Sequence, residues 1–361
     1  MPVRELNIKP DPDFGRLEKV IRRQGIPDRV PFYELYSNIE AEVLCAIGKS
    51  SNLGPVPQEG PDLNLYLLRQ QIDYMYNLGY DYLAIFPSDY KFPLMEAPTA
   101  ETTEGDRAYH TSEFLAIKNR QDFEEYRWPD VSQIDSGLFE KAGELIPDGM
   151  KVIAFFSGVL ENAMCLLGYE GIGYQLFDDE PLVSDTFEAV GARIVDYFEN
   201  VAPLEVVGAL CLGDDMGFKT QTMLSPDVLR KYVFPWHKKI VEVAHRHGKP
   251  IILHACGNLT EVMEDIIACG WDAKHSFEDV IQPVWEAKQK YGDRIALLGG
   301  FDMDKICRMS EEEVRAHTRF MIENCAPGGG WTLGTGNTVA NYIPVANFLA
   351  MLEEGYGAGF Y

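Results

Sequence analysis

The sequence predicts a parallel (β/α)8 TIM barrel with an N-terminal helical extension and a long excursion after the second strand. Two observations predict it. Eight short apolar runs alternate with amphipathic stretches along the chain, the rhythm of a parallel sheet with helical crossovers. Polar and metal-capable side chains gather just past the ends of those runs, where a barrel carries its active site. A doubly wound open sheet would share the first feature and is the alternative.

Residues 1–30 are polar with a helical patch at 14–23, and they form the extension. Asp28-Arg-Val-Pro31 leads into Phe32-Tyr-Glu-Leu-Tyr36, short and aromatic, the candidate first strand. Helices are expected at 41–47 and 63–78, and the second strand at 79–87. Residues 88–150 lose the rhythm and collect Pro, Thr, Asp and Glu, with a hairpin expected near 103–114. A stretch of this length without regular elements is expected to lie over the barrel mouth. From 151 the rhythm is regular. Strands are expected at 151–157, 204–212, 250–254, 271–277, 294–298 and 331–333. Helices are expected at 185–198, 226–247, 259–268, 283–291, 310–324 and 344–354. Ser310-Glu-Glu-Glu313 reads as a capping box, and Ser225-Pro226 as an N-cap followed by proline at the first helical position. The whole of 1–361 reads as one barrel domain.

With 32 basic and 56 acidic residues the formal charge is −24. Such a chain repels nucleic acid and anionic membrane surfaces. No apolar stretch reaches the length of a bilayer-spanning helix, and the opening residues lack a secretory apolar core. A cytoplasmic protein is expected, and a homodimer is compatible with it. Seven scattered cysteines read as free thiols, most of them packing residues.

The sharpest local feature is K-P-I-I-L-H-A-C-G-N at 249–258. In an extended segment residues two apart face the same way. His254 and Cys256 therefore look to one side at a strand end, an imidazole beside a thiol, both able to ligate zinc. A catalytic zinc needs a third protein ligand. The candidates are His275, Glu278, Asp214 and Asp302, with His275 and Glu278 on the neighbouring strand end. The adjacent carboxylates Asp214 and Asp215 follow an apolar strand and can act as general base, metal ligand or polar anchor. Asp89 ends the second strand. The expected catalytic groups are Asp214, Glu278 and Asp89. The expected metal ligands are His254, Cys256 and Glu278. Tyr33, Tyr36, Asn38, Ser157, Asp215, His275 and Asn337 are the expected substrate-binding residues at the strand ends. Tyrosines and phenylalanines crowd the first two strands, and a flat apolar pocket is one reading of them.

Gly213-Asp-Asp-Met-Gly217, Phe234-Pro235-Trp-His-Lys238, His254-Ala-Cys-Gly-Asn258, Leu298-Gly-Gly300 and Ala326-Pro-Gly-Gly-Gly330 complete a pattern that begins with Asp28-Arg-Val-Pro31. With these residues the chain resembles the uroporphyrinogen decarboxylase superfamily, which includes corrinoid-dependent methyltransferases. The resemblance implies a (β/α)8 barrel with its cleft at the strand carboxyl ends. Two departures bear on the branch. Decarboxylases carry Arg-Gln-Ala-Gly-Arg after the first strand, whereas residues 32–40 here hold two glutamates and no arginine. Asp89 matches the decarboxylase aspartate only across a one-residue insertion. The zinc methyltransferases of the superfamily use His-x-Cys and a distant cysteine. His254 and Cys256 match the first two, and Thr335 stands where the distant cysteine falls. The resemblance implies methyl transfer between a small substrate, such as a methoxylated aromatic, and a partner protein's corrinoid, with zinc as cofactor. The alternatives are decarboxylation of a different substrate and a non-catalytic binding relative.

Overall fold

The computed structural model describes residues 3–50, 54–87, 89–94 and 115–360. Among the described residues seven parallel strands follow one another in chain order: β1 (Tyr82–Ile85), β2 (Lys151–Ser157), β3 (Val207–Gly213), β4 (Ile251–His254), β5 (Ala273–His275), β6 (Ala296–Leu298) and β7 (Trp331–Thr332). Strands β1, β4, β5, β6 and β7 are buried at every residue. That is the expected state of a parallel strand with helices on one face and a barrel core on the other. The sheet curls into a TIM-barrel-like α/β fold.

The expected first strand is not a ladder strand. Residues 31–38 make isolated parallel bridges to the chain beyond β7, Phe32 with Leu333 and Ser37 with Val339. Tyr33 donates its N–H to Leu333 O at 2.9 Å, and Leu333 donates back to Pro31 O at 3.0 Å. On the β1 side, the hydroxyl of Tyr82 takes the Glu34 N–H at 2.8 Å and donates to the Glu34 carbonyl. One phenol thus satisfies the donor and acceptor that a sheet neighbour would otherwise pair. The aromatic crowding of this region is core packing in part: Tyr33 stacks on Tyr82 at 5.7 Å, and Phe32 meets Tyr80 edge-on.

Other elements shift for local reasons. The helix expected at 226–247 is two helices, Pro226–Tyr232 and Phe234–Arg246, because Pro235 cannot continue the first. The helix expected at 185–198 runs Glu180–Val201, capped by Asp179. The described part of the excursion forms the helices Arg120–Glu125 and Ser136–Leu145. It packs on the outer layer, where Arg120 pairs with Asp185 at 2.6 Å and the Tyr90 hydroxyl donates to Arg193 O. The hairpin expected near 103–114 lies outside the described residues. Among the described residues no helix is long and apolar enough to cross a membrane.

The strand register sets up the mouth. Ser157 is level with Gly213, Gly213 with His254, His254 with His275, and His275 with Leu298. Lateral neighbours in a parallel sheet share a face, so this row spans five adjacent strands, β2 to β6, on the inner side.

Candidate metal centre

The loops after β3 and β4 are joined by backbone. Asp214 donates its N–H to His254 O at 2.8 Å, Gly217 to Cys256 O at 3.1 Å, and Asn258 to Phe218 O at 2.7 Å. The approach is too close for side chains. A Cβ on Gly257, whose φ is +86°, would lie 2.0 Å from Gly217 O. The junction sets Asp215 against the His254-Ala255-Cys256 corner, where Asp215 Oδ1 accepts the Cys256 N–H at 2.8 Å. His254 Nε2 is 3.6 Å from Asp215 Oδ1 and 3.4 Å from Cys256 Sγ. The three donor atoms all lie within 4.8 Å of one another, the one such group of three among the described residues.

Hydrogen bonding fixes which nitrogen of His254 is free. His275 Nε2 lies 3.2 Å from Thr335 O, a carbonyl that can only accept, so this nitrogen carries the proton. His275 is neutral, its pKa pushed down to about 3 by burial, so its Nδ1 is an acceptor. His254 Nδ1 lies 2.8 Å from it and must donate. His254, also held neutral by burial and by His275 and Lys274, then presents an unprotonated Nε2 to Asp215 and Cys256. Metal-bound histidines use this arrangement, the second nitrogen donating to a fixed partner.

The sulfur has two polar neighbours. Asn337 Nδ2 lies 3.2 Å from Cys256 Sγ and Ser276 Oγ lies 3.4 Å from it. Ser276 reaches that position from a backbone with φ +82°, unusual outside glycine. Burial, and then the neighbouring Asp215 charge, push the thiol up to about 12. Burial also raises Asp215. Two buried acids side by side resist ionising together, and a bound cation reverses that preference. The donor set of imidazole nitrogen, sulfur and carboxylate suits zinc. Zinc bonds of about 2.0–2.3 Å place tetrahedral ligand atoms roughly 3.3–3.8 Å apart, the range of the His254 separations. Three protein donors leave a fourth position for another ligand.

The structure reassigns several expected residues. Asp215, expected to bind substrate, lies in the group of three that could hold a metal. Its side was legible: along an extended chain Asp215 faces with the inward Gly213, and Asp214 faces away. Asp214 is fully buried and accepts from Val159 N, Leu160 N and Glu161 N, with His237 Nε2 2.7 Å away. It caps the helix Val159–Leu167 and lies outside the donor group. Glu278 is half-buried and lines a small pocket with Lys274, Ser276 and Thr260; it is not in the donor group. His275 orients His254. Asp302 caps the helix Met303–Arg308. Asp89 is exposed and stands outside the donor group.

Among the expected substrate residues, Tyr33 is buried against His275, with its hydroxyl 3.6 Å from Cys211 Sγ. Asn38 is exposed, and Ser157 is held by Asn162 Nδ2 at 3.1 Å. Tyr36 meets Phe86 edge-on at 5.8 Å, and Phe86 lies 4.4 Å from Phe155. Phe155 covers Gly213, since a Cβ there would meet its ring at 2.6 Å. This aromatic wall therefore adjoins His254 across the register. Sequence reasoning passed over Glu161 as well. Its carboxyl is raised to about 8 by burial and by the charges of Asp214 and Asp215.

Thr335, at the position of the family's distant cysteine, is fully buried with its hydroxyl bonded to Glu34 Oε2 and to Asn337 O. It is no substitute ligand.

No curated protein sequence matches the chain. A methyltransferase from Methanosarcina mazei has a similar structure, with a TM-score of 0.66 at 16% identity over 94% of this chain and 97% of that one. A pneumococcal exo-beta-D-N-acetylglucosaminidase scores only 0.40 at 12% identity, covering 80% of this chain and 79% of that one. The sequence model for uroporphyrinogen decarboxylase (URO-D) matches residues 110–356, more than half of the chain. With its TIM-barrel-like sheet and strand-end site, the chain belongs to the uroporphyrinogen decarboxylase family.

Proposed function

We propose that the chain is a zinc-dependent methyltransferase that moves a methyl group between a small substrate and the corrinoid of a partner protein. The observation that carries this reading is the donor group Asp215, His254 and Cys256, with the lone pair of His254 Nε2 aimed at the other two. Zinc, when held by these residues, would supply a Lewis acid that stabilises charge on the heteroatom losing the methyl group. The chain's own residues prepare the rest. Asn337 donates to the sulfur and holds it as an acceptor. Tyr36, Phe86 and Phe155 offer a flat surface beside the donors, on which a methoxylated aromatic ring can stack. When the methyl–heteroatom bond breaks, its electron pair stays on the heteroatom, and that charge must meet a cation or a proton at the mouth.

Uroporphyrinogen suits the site poorly. Residues 32–40 present no arginine to its carboxylates, and Glu34 from that segment is itself buried.

Elemental analysis and a transfer assay test the reading together. Protein purified without chelator is expected to carry stoichiometric zinc and to exchange methyl groups between a methoxylated aromatic and cob(I)alamin. Cys256→Ser is expected to lose both while keeping its circular dichroism spectrum. Zinc retained in Cys256→Ser moves the site elsewhere. Zinc absent from the wild type after reconstitution ends the proposal.

A further inference from the structure

Glu34 is 2% exposed, and its carboxyl reaches across the barrel seam to the loop after β7. Oε1 accepts the Thr335 N–H at 2.8 Å, and Oε2 is bonded to the Thr335 hydroxyl. The same hydroxyl lies 2.8 Å from Asn337 O. One hydroxyl hydrogen cannot serve both a carboxylate and a carbonyl. A neutral Glu34 removes the conflict: its O–H donates to Thr335 Oγ1, which donates to Asn337 O. Burial supports this state by raising the Glu34 carboxyl to about 8.

Residues 335–337 carry the contacts that hold the metal donors. Thr335 O fixes the His275 proton and, through it, the tautomer of His254. Asn337 Nδ2 donates to Cys256 Sγ. Gly336 O accepts from Ser276 Oγ, the other group on that sulfur. Glu34 grips this loop by its first backbone amide, that of Thr335, and by the buried Thr335 hydroxyl.

We propose that Glu34, in its neutral form, is a positioning residue for the metal centre, holding the Thr335–Asn337 loop so that His254 and Cys256 keep their donor geometry. The proposal rests on the reading of Asp215, His254 and Cys256 as metal ligands. Glutamine reproduces a neutral carboxyl here, its oxygen accepting from Thr335 N and its amide donating to Thr335 Oγ1. Methionine keeps the length and the volume but leaves Thr335 N–H without a partner.

Two readouts on the full chain separate the possibilities. Titration of metal-free protein with cobalt(II) alone reads the site by its visible spectrum. Glu34→Gln is expected to match the wild type in spectrum and affinity. Glu34→Met is expected to bind about 10- to 100-fold more weakly, the usual cost of losing a group that orients ligands, with an altered spectrum. Nitrogen NMR of histidine-labelled, metal-free protein reads the tautomers without any metal. Wild type and Glu34→Gln are expected to show His254 protonated on Nδ1, and Glu34→Met a mixture. A Glu34→Met protein unchanged in both readouts overturns the proposal, as does a Glu34→Gln protein as impaired as Glu34→Met. Wild type that binds no cobalt defeats the metal reading, while the NMR comparison still decides the role of Glu34. If Glu34→Met does not fold, Thr335→Val, which removes only the hydroxyl, takes its place with the same expectation.

Discussion

His254 and His275 face each other Nδ1 to Nδ1 at 2.8 Å, and the Thr335 carbonyl decides which of them holds the shared proton. The pair converts a backbone acceptor on one side of the barrel into a free lone pair on the other. His275→Leu keeps an apolar side chain in a buried position but removes the relay. Zinc affinity is expected to fall about 10- to 100-fold, measured by competition with a chromophoric chelator. Unchanged affinity would show that His254 needs no orienting partner.

Asp214 gives the opposite expectation. It is bonded to three backbone amides and to His237, all on the outer side of the strand. Asp214→Ala leaves those buried groups unpaired and is expected to cost on the order of 3–5 kcal/mol in urea denaturation. Zinc content per folded molecule should not change. Loss of zinc from a variant of wild-type stability would place Asp214 in the site after all.

Glu34 makes stability depend on pH. Its folded value, about 8, lies above its ordinary value of 4.5. The folded state therefore holds the proton more tightly than the unfolded chain does. The resulting stabilisation is complete below about pH 4.5 and is lost as pH rises through about 8. The tyrosines around it, Tyr74, Tyr80 and Tyr82, are all raised above their ordinary value by burial and do not titrate in that window. The stability of wild type minus that of Glu34→Gln, from urea curves across the window, should decline with pH. A flat difference would mean that Glu34 is ionised in the folded protein.

Gly257 joins the two loops that carry the donors. Alanine at this position meets Gly217 O and must also adopt φ +86°. Gly257→Ala is expected to separate Cys256 from Asp215, lowering zinc affinity more than it lowers thermal stability. Equal metal content at saturating and limiting zinc would argue against this coupling.

Much of the barrel was legible because burial on two faces writes a strand as a short apolar run. Lys151–Ser157, Val207–Gly213 and Ile251–His254 lie within a few residues of their expected positions. The segment 32–36 misled because its aromatic character serves core packing, while its backbone is satisfied by a side chain, the Tyr82 hydroxyl. In the site, His254 and Cys256 were readable from a spacing of two. On the other neighbouring strand the candidate was Asp214, and the adjacent Asp215 lies in the donor group instead, brought near by the Gly217–Gly257 contact, which is tertiary. Glu34 was invisible for a related reason. A single buried glutamate looks like a solvated one until the partner 301 positions away is known.

That separation bears on when the site can exist during synthesis. Residues 29–38 find their partners beyond residue 332, Phe32 at Leu333, Ser37 at Val339 and Arg29 at Phe360. Contacts so distant in sequence form late and slowly. When β5 and β6 are being made, Asp215, His254 and Cys256 have already been synthesised, but their orienting loop, residues 335–337, has not. A nascent chain at that stage has the donors in a loose arrangement. On the proposed reading, the donors reach their ordered arrangement only when the seam closes, after the last strand has been made.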